Sequence, residues 1–336
     1  MSGFIAELPE GWLQVKVPLP FSLKWVNSYM VPEERGYTII DPGLRTEEAV
    51  GAWSKVMQDR GIAWLDISRI VLTHQHPDHY GLAGYMQERS GAPVYMSSRA
   101  HAYARRLWGE DSDYPEALES LFLQHGMPEG LMDDIVRNLA EFVSRVSPQP
   151  VVQYIEAGEK LQLGGRQWQL IDAPGHAFGG LCFYQPELGW MLCGDQVLPH
   201  ITPNVSVVPG EERDPLGCFL HSLEELKAWE VTLALPGHRE PFTGFRERIE
   251  QLQGHHDRRL AAMEELLKGA PMSAFAVCET SFGSHLRRNP HNLRFAMAET
   301  LAHLFHLEGM GRVDAVRKDG TLEYEASPTG IVSFEA

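Results

Sequence analysis

Positive charge is the scarcer sign in this 336-residue chain: 29 Lys and Arg stand against 45 Asp and Glu, a net charge of −16. A field of that sign opposes long-range attraction to nucleic acid or to an anionic membrane. Cysteine is sparse as well. Cys182, Cys193, Cys218 and Cys278 show no C-x-x-C spacing, so reduced core thiols are expected rather than a thiolate metal site or a disulfide framework. No apolar run reaches the roughly 20 residues that a bilayer requires. The opening stretch, MSGFIAELPEGWLQVKVPLP, lacks the basic start and apolar segment of a secretory leader, and a cytoplasmic protein is expected. There is no G-x-S-x-G elbow to present a nucleophilic serine. Internal repeats and low-complexity tracts are absent too.

What is present is a chain with 43% hydrophobic residues, enough for a sizeable core and long enough for one large domain with an appendage. LQVKVPLP and KWVNSYMVPEERGYTIIDPG read as strands turning at PEERG. TEEAVGAWSKVMQDRG has helical spacing, with Thr46 as cap and Gly61 as stop. ISRIVLTH and PVYMSS read as short strands. Residues 100–150 differ: three helical segments follow one another with no strand between, as an insertion that could lie over a site as a lid. Strands resume with KLQLGGRQWQLIDAPGH, the hairpin GLCFYQPELGWMLCGD and VTLALPGH. Beyond Gly244 come three helical segments and a hairpin around Asp319-Gly320, the order of a winged helix. The expected division is a domain over residues 1–245 and a winged-helix-like domain over 246–336.

The chemistry concentrates in IVLTHQHPDHYG, residues 70–81, where His74, His76, Asp78 and His79 crowd the end of an apolar strand. Neutral imidazole and carboxylate are the ligands that borderline divalent metals prefer. His74 and His76 can point the same way, and Asp78 and His79, one turn on, can face a second position. His176 in APGHAFGG, Asp195 in LCGDQ and His238 in ALPGHRE also follow apolar runs and sit beside glycine or proline. Polar ligands at four strand ends suit a site along one edge of a sheet sandwich.

In their order, H-x-H-x-D-H, P-G-H, G-D and P-G-H resemble the metallo-β-lactamase superfamily over roughly residues 15–245. The resemblance implies an α/β fold, the αββα sandwich, and two divalent metal ions, with zinc the first choice and manganese or iron the alternatives. It assigns His74, His76 and His176 to the first metal, Asp78, His79 and His238 to the second, and Asp195 to the bridge between them. Asp41 in TIIDPG matches the early aspartate that supports the ligand loop. Tyr80 stands where a small residue is commoner. Two ions about 3.5–4 Å apart share a water whose pKa falls toward roughly 7, and Asp78 is placed to accept a proton.

The implied activity is hydrolysis of a small ester, thioester or lactone, as in the lactamase-β-like protein 2 and glyoxalase II branch. Two alternatives share the motif: a phosphodiesterase or endoribonuclease, and an iron-dependent persulfide dioxygenase that uses one metal. The full second ligand set argues against the last. Tyr80 and, in the loop after Asp195, His200, Thr202 and Asn204 are candidate substrate contacts. Residues 250–336 carry nine basic and twelve acidic residues, a net of −3, so the tail is expected to pack or to form a homodimer rather than to bind DNA. The expected partner is a small-molecule substrate in preference to nucleic acid, and no membrane is expected.

Overall fold

The computed structural model describes residues 4–109 and 112–328. The described residues up to 109, with Glu141–Pro203 and Ser222–Ile249, form one compact unit. Ser112–Ala140, Asn204–His221 and the described residues from Glu250 onward form a second.

The first unit is built on two sheets. One has seven strands in sequential order: β1 (Ile5–Glu7), β2 (Leu13–Pro18), β3 (Trp25–Pro32), β4 (Tyr37–Ile40), β5 (Ile67–Val71), β6 (Val94–Met96) and β7 (Val152–Tyr154). Pairing is antiparallel from β1 to β4 and parallel from β4 to β7. The other has five strands, ordered β12 (Leu233–Pro236), β11 (Trp190–Gly194), β10 (Leu181–Gln185), β9 (Arg166–Asp172) and β8 (Lys160–Leu163). Side chains alternate between the two faces of a strand, and this separates the core into layers. Tyr29, Val31, Ile40 and Val71 from the first sheet share one cluster with Trp168, Leu170, Phe183 and Leu192 from the second. Trp12 joins them, its ring centroid 5.3 Å from that of Trp168 and 5.6 Å from that of Trp190. The intervening residues Met30, Ile39 and Ile70 are buried as well, so the far face of the larger sheet is also covered. Helices α1 (Glu47–Arg60) and α3 (Ala83–Ser90) pack against strands β2 and β5 of this sheet.

Local signals set several boundaries. Thr46 Oγ1 accepts a hydrogen bond from Ala49 N at 3.0 Å and starts α1. Gly61, in the left-handed region at φ 64°, ends it. The short α2 (Pro77–Tyr80) has Pro77 at its first position, where a missing N–H costs nothing and φ is preset. The three helices read between residues 100 and 150 are α4 (Ser98–Trp108), α5 (Tyr114–Gln124) and α6 (Glu129–Arg145). β7 was not legible: it has three residues, two of them exposed, and only its pairing with β6 makes it a strand.

The second unit holds a three-stranded antiparallel sheet ordered β13 (Met272–Ser273), β15 (Thr321–Ala326) and β14 (Val313–Lys318). The β14–β15 turn is made by Asp319 and Gly320, at φ 48° and 89°, as a tight hairpin with two left-handed residues requires. Between α7 (Pro215–Leu226) and that hairpin the chain forms α8 (Phe245–Leu267), α9 (Ala274–Phe282) and α10 (Pro290–Gly309). The end of α5 docks on this sheet: the Tyr324 hydroxyl and His125 Nδ1 lie 3.2 Å apart with their rings stacked. All four cysteines are free. Among the described residues no helix is long and apolar enough to cross a membrane.

Candidate metal centre

β5 delivers the chain into the ligand loop, and Asp41, just past β4, anchors it. Asp41 is buried and adopts a left-handed φ of 51°. Its Oδ1 accepts from Thr73 N at 2.8 Å, and its Oδ2 accepts from Thr73 Oγ1 at 2.7 Å and lies 2.9 Å from His79 Nδ1. A carboxylate so occupied supports ligands rather than serving as one, although Asp41 also lies within ligand distance of His74 and His79. Having given its proton to Asp41, the Thr73 hydroxyl accepts from His74 Nδ1 at 2.9 Å. Nε2 of both His74 and His79 is thereby left without a proton in the neutral ring, facing the site.

The ring nitrogens converge in two groups. His74, His76 and His176 bring one ligand atom each within 4.8 Å of one another, and so do Asp78, His79 and His238. His74 Nε2 and His76 Nδ1 are 3.1 Å apart. Asp195, at the end of β11, stands between the groups: its Oδ1 is 3.5 Å from His79 Nε2, and its Oδ2 is 3.3 Å from His238 Nε2 and 3.7 Å from His176 Nε2. Asp78 Oδ2 lies 3.2 Å from His238 Nε2. Gly237 closes the wall, since a Cβ there would lie 2.2 Å from Asp195 Oδ1 and 2.6 Å from His79 Cε1.

Electrostatics divide the two groups. Burial, reinforced by neighbouring imidazoles, lowers His74 and holds His76 down at about 3, so these two rings are neutral and ready to ligate. In the second, burial opposes charge on His238, but Asp195 and Asp78 outweigh it and lift the ring to about 10. His79 is raised in the same way, chiefly by Asp195 and Asp41. Burial would raise Asp78 and Asp195, yet the histidines beside them keep both carboxyls below the usual range. The carboxylates thus draw protons onto His79 and His238, supplying positive charge at the place where a cation would supply it. In the neutral rings Nε2 of His79 and Nε2 of His238 carry no proton, and with Asp195 Oδ1 they are buried without a hydrogen-bond partner, a cost that a bound cation removes. The donor set, histidine and carboxylate without cysteine, fits divalent metals of the zinc, manganese and iron type.

The seven ligand candidates and Asp41 are therefore brought together. The remaining candidates are placed differently. Tyr80 is fully buried and donates its hydroxyl to Gln149 Oε1 at 2.7 Å. His200 is exposed, with a left-handed φ of 65°, and Thr202 is half-buried. Asn204, in the second unit, donates to Glu299 Oε2 at 2.7 Å and accepts from Ser206 Oγ. The stretch after Asp195 is fastened by Arg248, whose guanidinium donates to Leu198 O at 2.6 Å and Ile201 O at 2.7 Å. Sequence reasoning missed Thr73 and Arg248. Thr73 adjoins the motif, and a hydroxyl beside a ligand histidine is a usable signal; nothing local marks Arg248.

Residues 26–263 match the family described as the metallo-beta-lactamase superfamily, and residues 260–327 match the metallo-beta-lactamase-like, C-terminal domain. The probable metallo-hydrolase YqjP of Bacillus subtilis (strain 168) is 26% identical over 327 residues, covering 94% of this chain and 98% of its own. A metallo-beta-lactamase family protein from Thermus thermophilus has a solved structure that superposes with a TM-score of 0.84 at 34% identity, covering 95% of this chain and 99% of that one. More distantly, the atrochrysone carboxyl ACP thioesterase AacuM of Aspergillus aculeatus is 24% identical over 260 residues, covering 76% of this chain and 65% of its own.

Proposed function

The chain belongs to the metallo-beta-lactamase superfamily and is a metal-dependent hydrolase; from that premise we propose that it cleaves a small acyl substrate, an ester, thioester or lactone, at a centre holding two divalent ions. The observation that carries this reading is the pair of three-residue ligand groups with the Asp195 carboxylate between them. His74, His76 and His176 would hold one ion, Asp78, His79 and His238 the other, and Asp195 would touch both. Bound divalent ions supply a hydroxide nucleophile at neutral pH and polarise the oxygen that gains charge.

The chain's own residues orient the ligands and accept a proton. Asp41 and Thr73 fix the tautomers of His74 and His79. Asp78 stays ionised through neutral pH because its histidine neighbours outweigh its burial, so its carboxylate can hold a cation and take a proton from the attacking water. Buried Ala173, Ala177 and Leu181 line the cavity with His74, His176 and Asp195, and such apolar surroundings strengthen each charge interaction. Among the acyl substrates, the thioester has the added support of the fungal thioesterase relative.

The test is elemental analysis of protein purified without added metal, beside turnover of a lactone, a glutathione thioester, bis-p-nitrophenyl phosphate and a short RNA. About two ions per chain with acyl cleavage is expected. Cleavage of the phosphodiesters alone would replace the acyl reading. One iron per chain without hydrolysis would overturn the two-ion site.

A further inference from the structure

The loop carrying His238 is held to the larger sheet by side chains with no part in the chemistry above. After β12 the chain turns through Gly237, His238 and Arg239, and Arg239 takes a left-handed φ of 69° that a long side chain seldom adopts. Asn27, on β3, is fully buried. Its Nδ2 donates to Pro236 O at 2.9 Å and to Arg239 O at 2.5 Å. Its backbone N–H donates to Gly237 O at 2.7 Å. One residue therefore grips three of the four carbonyls from Pro236 to Arg239. Gln14 Nε2, from β2, adds a longer bond of 3.3 Å to Arg239 O, and the Tyr29 hydroxyl donates to Pro236 O at 2.8 Å.

The grip bears on the ligand itself. His238 Nδ1 lies 3.0 Å from Trp25 O, two residues before Asn27 on the same strand. A carbonyl only accepts, so Nδ1 carries the proton. In the neutral ring Nε2 is then bare, 3.2 Å from Asp78 Oδ2 and 3.3 Å from Asp195 Oδ2. Both protons of the Asn27 amide are spent on carbonyls that flank His238. An ionised aspartate has the same shape and no proton to give, and it would set its oxygens against two carbonyls.

We propose that Asn27 is a positioning residue for His238 and, through it, for the cation subsite of Asp78, His79 and His238. The inference rests on the ligand assignment proposed above. Outer residues that orient metal-binding histidines govern affinity by roughly 10–100-fold, and the same range is expected here. Gln14 and Tyr29 are lesser parts of the clamp, with one bond each.

The experiment withdraws zinc from the loaded full-length protein with a competing chelator, and follows folding by circular dichroism. In the wild type two ions leave in resolvable steps. Asn27→Asp weakens one step by roughly 10–100-fold and leaves the other in place, Asn27→Ala does so less, and Tyr29→Phe least. A purely structural role would lower the melting temperature and move both steps together. Folded Asn27→Asp protein that holds both ions at wild-type affinity overturns the proposal. Should that variant not fold, Asn27→Ala, which removes both amide donors without adding a charge, decides by the same criterion. His238→Ala separates the two readings. Loss of one ion there, with both retained in the Asn27 variants, sinks the clamp alone. Retention of both ions in His238→Ala sinks the ligand assignment and the clamp with it.

Discussion

Asp41 Oδ2 accepts from His79 Nδ1 at 2.9 Å and from the Thr73 hydroxyl at 2.7 Å, so a single carboxylate oxygen orients one histidine in each ligand group. Asp41→Asn keeps the shape but replaces one acceptor with a donor, which must face a donor already there. The expected outcome is metal affinity lower by about 10–100-fold at both subsites, read by chelator competition. Loss confined to one subsite would show that Asp41 does not couple them.

Asp195 touches both groups through separate oxygens. Asp195→Ala should therefore lose bound metal by elemental analysis, with hydrolysis down by about 10³-fold or more if several kcal/mol of charge stabilisation disappear. His76→Ala should likewise abolish hydrolysis while the chain stays folded. Unchanged metal content in Asp195→Ala would remove it as a bridge.

Gly237 has no room for a side chain, as the 2.2 Å approach to Asp195 Oδ1 requires. Gly237→Ala should displace Asp195 or His79 and cut activity at least as far as the loss of a ligand. Gly51 gives the contrast: it sits inside α1, and a Cβ there meets nothing within 4 Å. Gly51→Ala should raise stability by about 1 kcal/mol, measured by urea unfolding, without altering turnover.

Two buried histidines in the second unit make its stability acid-sensitive. His303 Nδ1 donates to Glu299 O at 2.7 Å, so its Nε2 is the acceptor for His256 Nδ1 at 3.1 Å. Burial holds His303 down at about 4 and His256 at about 2, whereas an unfolded histidine titrates near 6.5. Between those values the unfolded chain binds more protons, so stability is full above about pH 6.5 and declines as pH falls. Each histidine contributes a slope of about 1.4 kcal/mol per pH unit, ending near pH 4 for His303. His303→Gln should lower the slope between pH 4 and 6.5 by one such increment in denaturant unfolding. An unaltered slope would mean that His303 is protonated without penalty.

The ligand residues were legible because their signal is local. Four metal-competent side chains in six positions at a strand end, followed by histidine or aspartate at three later strand ends, are read without coordinates. Helix α1 was legible for the same reason, through Thr46 and Gly61, and so was the hairpin at Asp319 and Gly320. Asn204 shows where such reading stops. Its place in the loop after Asp195 is read from the sequence, whereas the partner of its amide, Glu299, stands 95 residues away in sequence.

By itself, then, the chain's order of residues determined which side chains can ligate, where the strands that carry them end, and which short caps and turns stop each element. These depend on neighbours a few positions apart, on period and on backbone preference. Tertiary structure alone decided how the ligands are aimed and which segments share a core. Asn27 meets Pro236 and Arg239 across 209 and 212 residues, and His125 meets Tyr324 across 199. Contacts at that distance arise only when buried polar groups, cut off from water, take whatever partner the packed sheets place beside them.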